Sequence, residues 1–330
     1  MTRLRLGTRG SELALWQANA VGAEVRRLSG RDCELVVITT TGDRLTNVSL
    51  SAVGGKRVFV KEIEQALASG DIDLAVHSAK DMPADLPDGL AIGAVLPRED
   101  PRDAVVLPTG ITPPGLPIRE LVSAQGAKPR IGSGSVRRIA QLSRLLPTAQ
   151  FQLIRGNVGT RLRKLDHGEY DLLILAAAGL RRLGFAHRIS AAVDVDACVP
   201  APGQGIIAIE TRADDRDMRA VLAPVGDAMA TAALTAERAV VTALGGGCQV
   251  PIGAFAEARG DRLHLRAVVA SLDGSQLLRR EAALPIDDAH ALGIAVAGRL
   301  LETGAGPMLE AARAGGVPAS GARSPEPGGS

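Results

Sequence analysis

The stretch DLAVHSAKDMP, residues 73–83, contains an apolar strand that ends abruptly in polar side chains. In an open α/β sheet, ligands bind beyond the carboxyl ends of the strands, and Lys80 and Asp81 lie at such an end. A solvated turn before Pro83 would have the same composition, so this stretch alone leaves both interpretations open. It predicts an α/β sheet whose polar groups gather at one edge.

The first 220 residues alternate short apolar runs with helical patterns, which is typical of a parallel α/β sheet. The predicted strands cover residues 3–7, 34–39, 73–76, 90–95, 104–107, 129–132, 151–154, 171–176 and 206–210, and the predicted helices cover 12–28, 59–68, 136–145 and 158–167. Two proline-rich stretches, at residues 97–101 and 199–203, predict crossovers between two lobes. The strand at 206–210 is expected to return to the sheet of the first lobe.

A third unit begins near Asp227. It is predicted to hold a helix at 228–243, strands at 252–256, 262–271 and 276–283, and a helix at 289–303. The predicted domains are lobe 1 at residues 1–98 and 199–222, lobe 2 at 99–198, and a smaller α/β domain with a three-stranded sheet at 223–314. Residues 315–330 are mostly Gly, Ala, Ser and Pro, and predict a disordered tail.

Composition excludes several classes of protein. Apolar residues make up 46% of the chain and charged residues 22%, which is typical of a soluble globular protein. No apolar run approaches the roughly 20 residues of a membrane span. The scattered histidines lack zinc-ligand spacing, and an aromatic content of 2% leaves few platforms for stacking bases. We therefore expect no metal, no membrane and no nucleic-acid partner, and the strand-like N-terminus indicates a cytoplasmic protein.

Residues 121–165 contain no acidic residue but carry nine basic ones, of which seven are arginine. Arginine is suited to bidentate contacts with carboxylates or phosphates. Glycine-rich turns at 7–11, 132–138 and 155–161 fall at predicted strand-to-helix junctions, where backbone N–H groups favour an anion. None is a nucleotide-binding fingerprint, so a ligand with several carboxylates is expected. The alternative is a solvated basic surface, which would normally include acids.

Three glycines, Gly245, Gly246 and Gly247, run directly into Cys248. A thiol at the end of such a loop carries no neighbouring bulk, as a covalent attachment point would require. A flexible turn followed by a small buried cysteine is the alternative, and this stretch alone favours it. The three cysteines are widely spaced, which predicts reduced thiols. Residues 42–56 are polar and aperiodic, which predicts a mobile loop over a site.

The chain resembles the porphobilinogen deaminases, also called hydroxymethylbilane synthases. The matching stretches follow the family order and span nearly the whole chain: TRGSELALWQ at 8–17, VGGK at 53–56, FVKE at 59–62, VHSAKD at 76–81, REDPRDA at 98–104, RGNVGTR at 155–161, PAPGQG at 200–205, TAER at 235–238 and GGCQVPIG at 246–253. The resemblance implies a three-domain α/β enzyme whose first two domains are similar to the hinged lobes of periplasmic binding proteins.

The resemblance also implies an activity. The enzyme would build a dipyrromethane cofactor from its own substrate and hold it by a thioether on Cys248. Four porphobilinogen units would then be added in turn, each with loss of ammonia. Hydrolysis would release hydroxymethylbilane for porphyrin and heme biosynthesis. The protein would act as a monomer in the cytoplasm.

The family pattern assigns roles to single residues. Asp81 would stabilise positively charged pyrrole intermediates and assist proton transfer, because the azafulvene formed on deamination needs a nearby negative charge. A further set of residues would bind the carboxylates of the cofactor and the substrate, or would orient these two molecules. The set is Arg9, Ser11, Ser78, Lys80, Ser133, Ser135, Arg137, Arg138, Arg155, Arg161 and Arg182. Lys56 and Arg57 would belong to the lid.

Two residues depart from the family pattern. Arg57 stands where the family usually has glycine, and Gly134 where it commonly has serine. Neither departure removes a charged ligand. Two rival hypotheses are weaker. A carboxylate-binding protein on the same lobes would need neither the third domain nor Cys248. A nucleic-acid-binding protein would need more aromatic residues than the 2% present and a larger positive charge than the net +2.

Overall fold

The computed structural model describes residues 3–44, 60–111, 115–246 and 250–315 of the 330-residue chain. Cys248, Lys56 and Arg57 lie outside the described residues, as do residues 45–56 of the predicted loop and 316–330 of the predicted tail. The described residues form three sheets, each covered by helices. No helix among them is both long enough and apolar enough to cross a membrane.

Lobe 1 is built on a five-stranded sheet. Its elements are β1 (Leu4–Thr8), α1 (Glu12–Ser29), β2 (Cys33–Val37), α2 (Thr41–Arg44), α3 (Lys61–Ala68), β3 (Leu74–Ser78) and β4 (Leu90–Val95). Ser11 caps α1 by accepting a hydrogen bond from the N–H of Ala14, as its position before an acidic first turn favours. Leu74 and Ala75 are fully buried, so β3 runs through the core and carries the polar residues that follow it to the edge of the sheet.

Lobe 2 repeats this plan. Its elements are β5 (Asp103–Val106), α4 (Ile118–Ser123), β6 (Arg130–Gly132), α5 (Val136–Leu145), β7 (Gln150–Gln152), α6 (Val158–Asp166), β8 (Leu172–Ala176), α7 (Ala177–Arg182) and β9 (Ala191–Val193). The chain then returns to lobe 1 through β10 (Ile207–Arg212) and α8 (Arg216–Leu222). The strand orders are β2-β1-β3-β10-β4 in lobe 1 and β7-β6-β8-β5-β9 in lobe 2.

The predicted α/β class is confirmed, but each lobe has a mixed sheet and not a wholly parallel one. β10 is antiparallel to both β3 and β4, and β5 is antiparallel to both β8 and β9. Each of these strands enters its sheet from the other lobe, and therefore runs in the opposite direction to the strands that the local β-α units supply. The predicted return of a strand to the first sheet is confirmed, and so is the two-lobed arrangement with hinge crossovers.

The two crossovers lie side by side. The N–H of Glu99 donates to the carbonyl oxygen of Gly205 at 3.1 Å, and the Arg98 Nε donates to the carbonyl oxygen of Gln204 at 3.1 Å. Gly205 has a φ of +88°, and a Cβ there would collide with the carbonyl oxygen of Glu99. Only glycine permits this close approach, which fixes the hinge between the lobes.

The third domain packs its helices on one face of a three-stranded antiparallel sheet, as predicted. Its elements are α9 (Ala228–Ala243), β11 (Ile252–Arg259), β12 (Arg262–Ala270), β13 (Leu277–Pro285), α10 (Ala289–Glu302) and α11 (Ala305–Gly315). Val240, Leu292 and Val296 are fully buried in its core. Helix α9 carries Glu237, which is also fully buried and accepts hydrogen bonds from Arg98 of the first crossover.

Candidate active site

A cleft of about 550 Å³ lies where the two lobes meet the third domain. Three of its walls come from the turn after β3, the start of α5 and the second crossover. The fourth comes from the third domain. The side chains that face it include Lys80, Asp81, Ser135, Arg137, Arg138, Gln204 and Arg238.

Strand β3 delivers Lys80 and Asp81 to this cleft. Asp81 is exposed, and no described side chain or backbone group donates a hydrogen bond to its carboxylate within the distances that define one. The Lys80 Nζ lies 3.4 Å from the Gln204 Oε1. Burial lowers the pKa of Lys80 to about 8, although neighbouring Asp81 partly opposes this change. Ser78, at the end of β3, instead hydrogen-bonds Gln17 of α1.

The glycine-rich turn before α5 delivers four of the predicted residues. Ser135 caps the helix by accepting from the N–H of Arg138 at 3.4 Å, and the Ser133 Oγ accepts from the N–H of Ser135 at 3.3 Å. Arg137 and Arg138 are almost fully buried, at 4% and 6% exposure, and line the cleft. The first residue of β5, Asp103, accepts hydrogen bonds from both guanidinium groups.

The departure at position 134 lies in this turn. Gly134 faces the cleft, and a Cβ built on it would lie 2.9 Å from the carbonyl oxygen of Ile154. A serine there would force the Ile154 backbone or the turn to shift by a few tenths of an ångström.

The remaining predicted residues are not among those lining the cleft, although some lie near it. The Arg161 Nε donates to the carbonyl oxygen of Gly156 at 2.8 Å, and burial lowers the pKa of Arg161 to about 10, with Arg138 adding to the effect. Arg155 has no hydrogen-bond or ion-pair partner within the described ranges. Arg9 of lobe 1 forms an ion pair with Asp43 at 2.5 Å.

Arg182 connects the lobes. Its Nη2 donates to the carbonyl oxygen of Gly205 at 2.6 Å, and its guanidinium carbon lies 5.8 Å from the centre of the Trp16 ring on α1. Burial lowers the pKa of Arg182 to about 10. Ser11, on the same helix as Trp16, acts as the N-cap described above.

The sequence analysis missed three residues as functional groups: Gln204 and Arg238, which line the cleft, and Asp103, which lies behind its wall. All three lie inside stretches that match the family, at 98–104, 200–205 and 235–238. Asp103 could have been found from the sequence, because it is a charged residue at the first position of a buried apolar strand. The contacts of Gln204 depend on the crossover geometry, which the sequence does not show.

The thiols differ in their surroundings. Cys248 lies outside the described residues, but Gly246 and Val250, each two positions from it in the chain, line the cleft. Burial raises the pKa of Cys33 to about 11 and that of Cys198 to about 12. Neither of these two residues lines the cleft.

Known proteins match the chain over nearly its whole length. The family model described as "porphobilinogen deaminase, dipyromethane cofactor binding domain" matches residues 4–220, and that of the "porphobilinogen deaminase, C-terminal domain" matches residues 231–302. The porphobilinogen deaminase of Acidithiobacillus ferrooxidans is 48% identical, over 94% of this chain and 98% of its own. That of Geobacter sulfurreducens is 45% identical, over 94% of each chain.

Solved structures with some similarity are more distant. Immunogenic lipoprotein A from Vibrio vulnificus gives a TM-score of 0.42 at 13% identity, and covers 67% of this chain and 94% of its own. An ancestral cationic amino acid solute binding protein gives a TM-score of 0.39 at 14% identity, over 67% of this chain and 86% of its own. On the family models and the curated relatives together, the chain belongs to the porphobilinogen deaminase family.

Proposed function

We propose that this enzyme makes hydroxymethylbilane from four porphobilinogen molecules in the cleft between its three domains, on a dipyrromethane held by Cys248. It is a transferase of porphyrin biosynthesis, as its family membership indicates. The observation that carries the assignment of the site is the meeting, at one cleft, of three features. These are the carboxylate of Asp81, the Arg137–Arg138 pair, and the two described neighbours of Cys248 in the chain.

The described residues fit a dipyrromethane, whose pyrroles bear acetate and propionate groups. The cleft volume lies within the range of small-molecule sites. Among the described residues, the buried Nε of Arg137 has no hydrogen-bond partner, and the Lys80 Nζ has only a long contact to Gln204. Such donors at a cleft wall are suited to the carboxylates of a ligand. When bound, the dipyrromethane supplies the free pyrrole position to which the first substrate is joined.

Cys248 is the thiol that suits the attachment. A thiol reacts through its thiolate, and burial holds Cys33 and Cys198 in the thiol form at neutral pH. Cys198 is also fully buried beside Asp103, where a pyrrole has no room. The three residues before Cys248 are glycines, which carry no side chains that would compete with a group attached to this thiol.

Asp81 would act on the substrate. Positive charge develops on porphobilinogen as ammonia leaves, and an exposed carboxylate at the cleft edge stabilises this charge. The same carboxylate can hold the proton that a pyrrole carbon releases when the new bond forms. Lys80, Arg137, Arg138 and Arg161 would orient the substrate by its carboxylates, so that its reactive carbon stays near Asp81. We assign supporting roles in binding to Arg9, Ser11, Ser78, Ser133, Ser135, Arg155 and Arg182.

We further infer that the enzyme works as a cytoplasmic monomer without nucleic-acid or membrane partners, and that Lys56 and Arg57 belong to a lid. The proposed domains are residues 1–98 with 199–222, 99–198, and 223–314, followed by a tail; Gly315, which the sequence analysis assigned to the tail, is the last residue of α11. The first three boundaries fall in the connections between β4 and β5, between β9 and β10, and between α8 and α9.

Intact-mass spectrometry tests this function. Purified enzyme should carry the added mass of a dipyrromethane and should react with the aldehyde reagent for pyrroles. Cys248→Ser should have the unmodified mass and no turnover. Cys33→Ser is the matched control, since it removes a half-buried thiol that does not line the cleft and should keep both the added mass and the activity. An unmodified and fully active wild-type enzyme would refute the proposal.

A further inference from the structure

Asp103 lies behind the wall of the cleft and binds four side chains. Its exposure is 0%, and its oxygens accept hydrogen bonds from the Arg137 Nη2 at 2.8 Å, the Arg138 Nε at 2.9 Å and the Gln204 Nε2 at 2.8 Å. The Cys198 Sγ adds a contact at 3.4 Å. Burial opposes ionisation, but the two arginines outweigh it and hold the pKa of Asp103 well below its usual range. Asp103 is therefore a carboxylate anion.

One carboxylate orients two guanidinium groups that the helix would otherwise separate. Consecutive residues on a helix point about 100° apart, yet Arg137 and Arg138 both converge on Asp103. No other acidic residue in the described ranges forms an ion pair with either of them. The backbone adds further fixed contacts, because Arg137 donates to the carbonyl oxygen of Val199 and Arg138 to that of Ile174.

The charge balance leaves the cleft able to attract anions. One negative charge faces two positive guanidinium groups, and Lys80 lies near the same cluster. Asp103 does not line the cleft, so a bound ligand meets the arginines and not the carboxylate. Among the described residues the buried Nε of Arg137 has no hydrogen-bond partner, so Asp103 and the backbone carbonyls do not use every donor of the arginine pair.

We propose that Asp103 is a positioning residue: it holds Arg137 and Arg138 in the one orientation in which their free N–H groups meet carboxylates in the cleft. This inference rests on the proposed function of the cleft. It differs from a purely structural role, in which Asp103 would only neutralise buried charge. It also differs from a competing role, in which the Asp103 carboxylate would occupy arginine N–H groups that the carboxylates of the ligand need.

Asp103→Asn tests the proposal, because Asn keeps the shape but removes the charge and turns an amide towards the arginines. Two quantities are measured: the fraction of chains carrying the dipyrromethane mass, and KM and kcat for porphobilinogen in the loaded fraction. We expect incomplete loading and a loss of kcat/KM on the order of a hundredfold, mainly through KM, since small displacements of substrate-orienting groups have effects of this size. Full loading with unchanged or lower KM would overturn the proposal, and a lower KM would indicate competition.

Asp171→Asn is the matched control. Asp171 also accepts hydrogen bonds from an arginine of lobe 2, Arg130, but neither of the two lines the cleft. The variant should lower the midpoint of thermal unfolding while leaving loading and KM unchanged. A rise in KM in Asp171→Asn equal to that in Asp103→Asn would show that general destabilisation explains both, and would also overturn the proposal.

If Asp103→Asn does not fold, Asp103→Glu decides the question. It keeps the charge but moves the carboxylate by one methylene group. Neutralisation alone predicts a wild-type KM, which would overturn the proposal, whereas positioning predicts a raised KM. Failure of the underlying function is recognised separately, because the wild-type enzyme itself would then lack the dipyrromethane mass.

Discussion

Asp81 is positioned by the strand before it. Strand β3 is buried, so the turn that follows is held by the sheet while the carboxylate stays exposed at the cleft. Asp81→Asn keeps the size of the side chain but removes its charge, and should reduce kcat by about a hundredfold or more, because a preorganised charge is lost. The variant should fold normally and, given preformed cofactor, should retain it.

Steady-state kinetics and thermal unfolding measure these two outcomes for Asp81→Asn. Asp88→Asn is the control, since Asp88 is exposed on the same lobe but does not line the cleft. Near-normal turnover in folded Asp81→Asn would show that another group opposes the developing charge.

We expect Lys80 to make the affinity for substrate depend on pH. Burial disfavours the ammonium form and lowers the pKa of Lys80 to about 8, so the free enzyme loses a positive charge at the cleft as the pH rises through this value. The affinity for carboxylates should fall, and kcat/KM should decline by about tenfold or more, which is the contribution of one charge-assisted hydrogen bond. Lys80→Arg should remove this decline, because arginine stays charged.

The pH profile of kcat/KM is the appropriate measurement, since it reports the free enzyme. Lys128→Arg, at an exposed lysine of lobe 2, should leave the profile unchanged. A profile with the same decline in Lys80→Arg and in the wild-type enzyme would assign it to another group.

Helix α6 carries one arginine that faces the site, Arg161, and another that is exposed, Arg163. Arg161 lies near Arg138 and Asp81, whereas Arg163, about 200° further around the helix, is exposed. Arg161→Leu should therefore reduce kcat/KM by about 10- to 100-fold through a lost charge-assisted contact, and Arg163→Leu should have little effect. Kinetics on both variants test this difference. Equal effects would favour a diffuse basic surface over a site.

The elements themselves were largely predictable, but their directions were not. The apolar runs of β4, α5 and α9 end at glycine, proline or charged residues, and these elements occupy the predicted residues. The same apolar run is compatible with parallel and antiparallel pairing, so nothing local marked β5 and β10 as antiparallel. The missed elements, which are short or contain glycine or proline, are α2, α4, α7, β9, α8 and α11; residues 42–44 of α2 had been predicted as part of a loop.

The acid that pairs with the basic segment could not be predicted. Residues 121–165 contain no acidic residue, so the sequence analysis expected Arg137 and Arg138 to bind the carboxylates of a ligand and named no acidic partner for them within the protein. In the structure, Asp103 at the start of β5, directly after the first crossover, forms ion pairs with both arginines of α5. Contacts between segments more than 30 residues apart depend on how the lobes close, and residue patterns carry little information on this.

At the scale of the whole molecule, Glu237 joins the third domain to both crossovers. It accepts hydrogen bonds from Arg98 of the first crossover, from the N–H of Gly203 in the second, and from the N–H of Ala256 in β11. Arg98 also donates to the carbonyl oxygens of Gln204 and Ala256. This buried ion pair therefore connects the third domain directly to both crossovers of the hinge.

Removing one member of the pair should destabilise the enzyme strongly. Arg98→Ala leaves a buried carboxylate without its counter-charge, and should lower the free energy of unfolding by about 3–5 kcal/mol. Adding Glu237→Gln to Arg98→Ala should recover part of the loss, because a neutral amide can stay buried at lower cost and can still accept from the backbone. Urea denaturation of the two single variants and the double variant measures the coupling. If the double variant lost as much as the two single losses added together, the ion pair would not be what holds the third domain against the hinge.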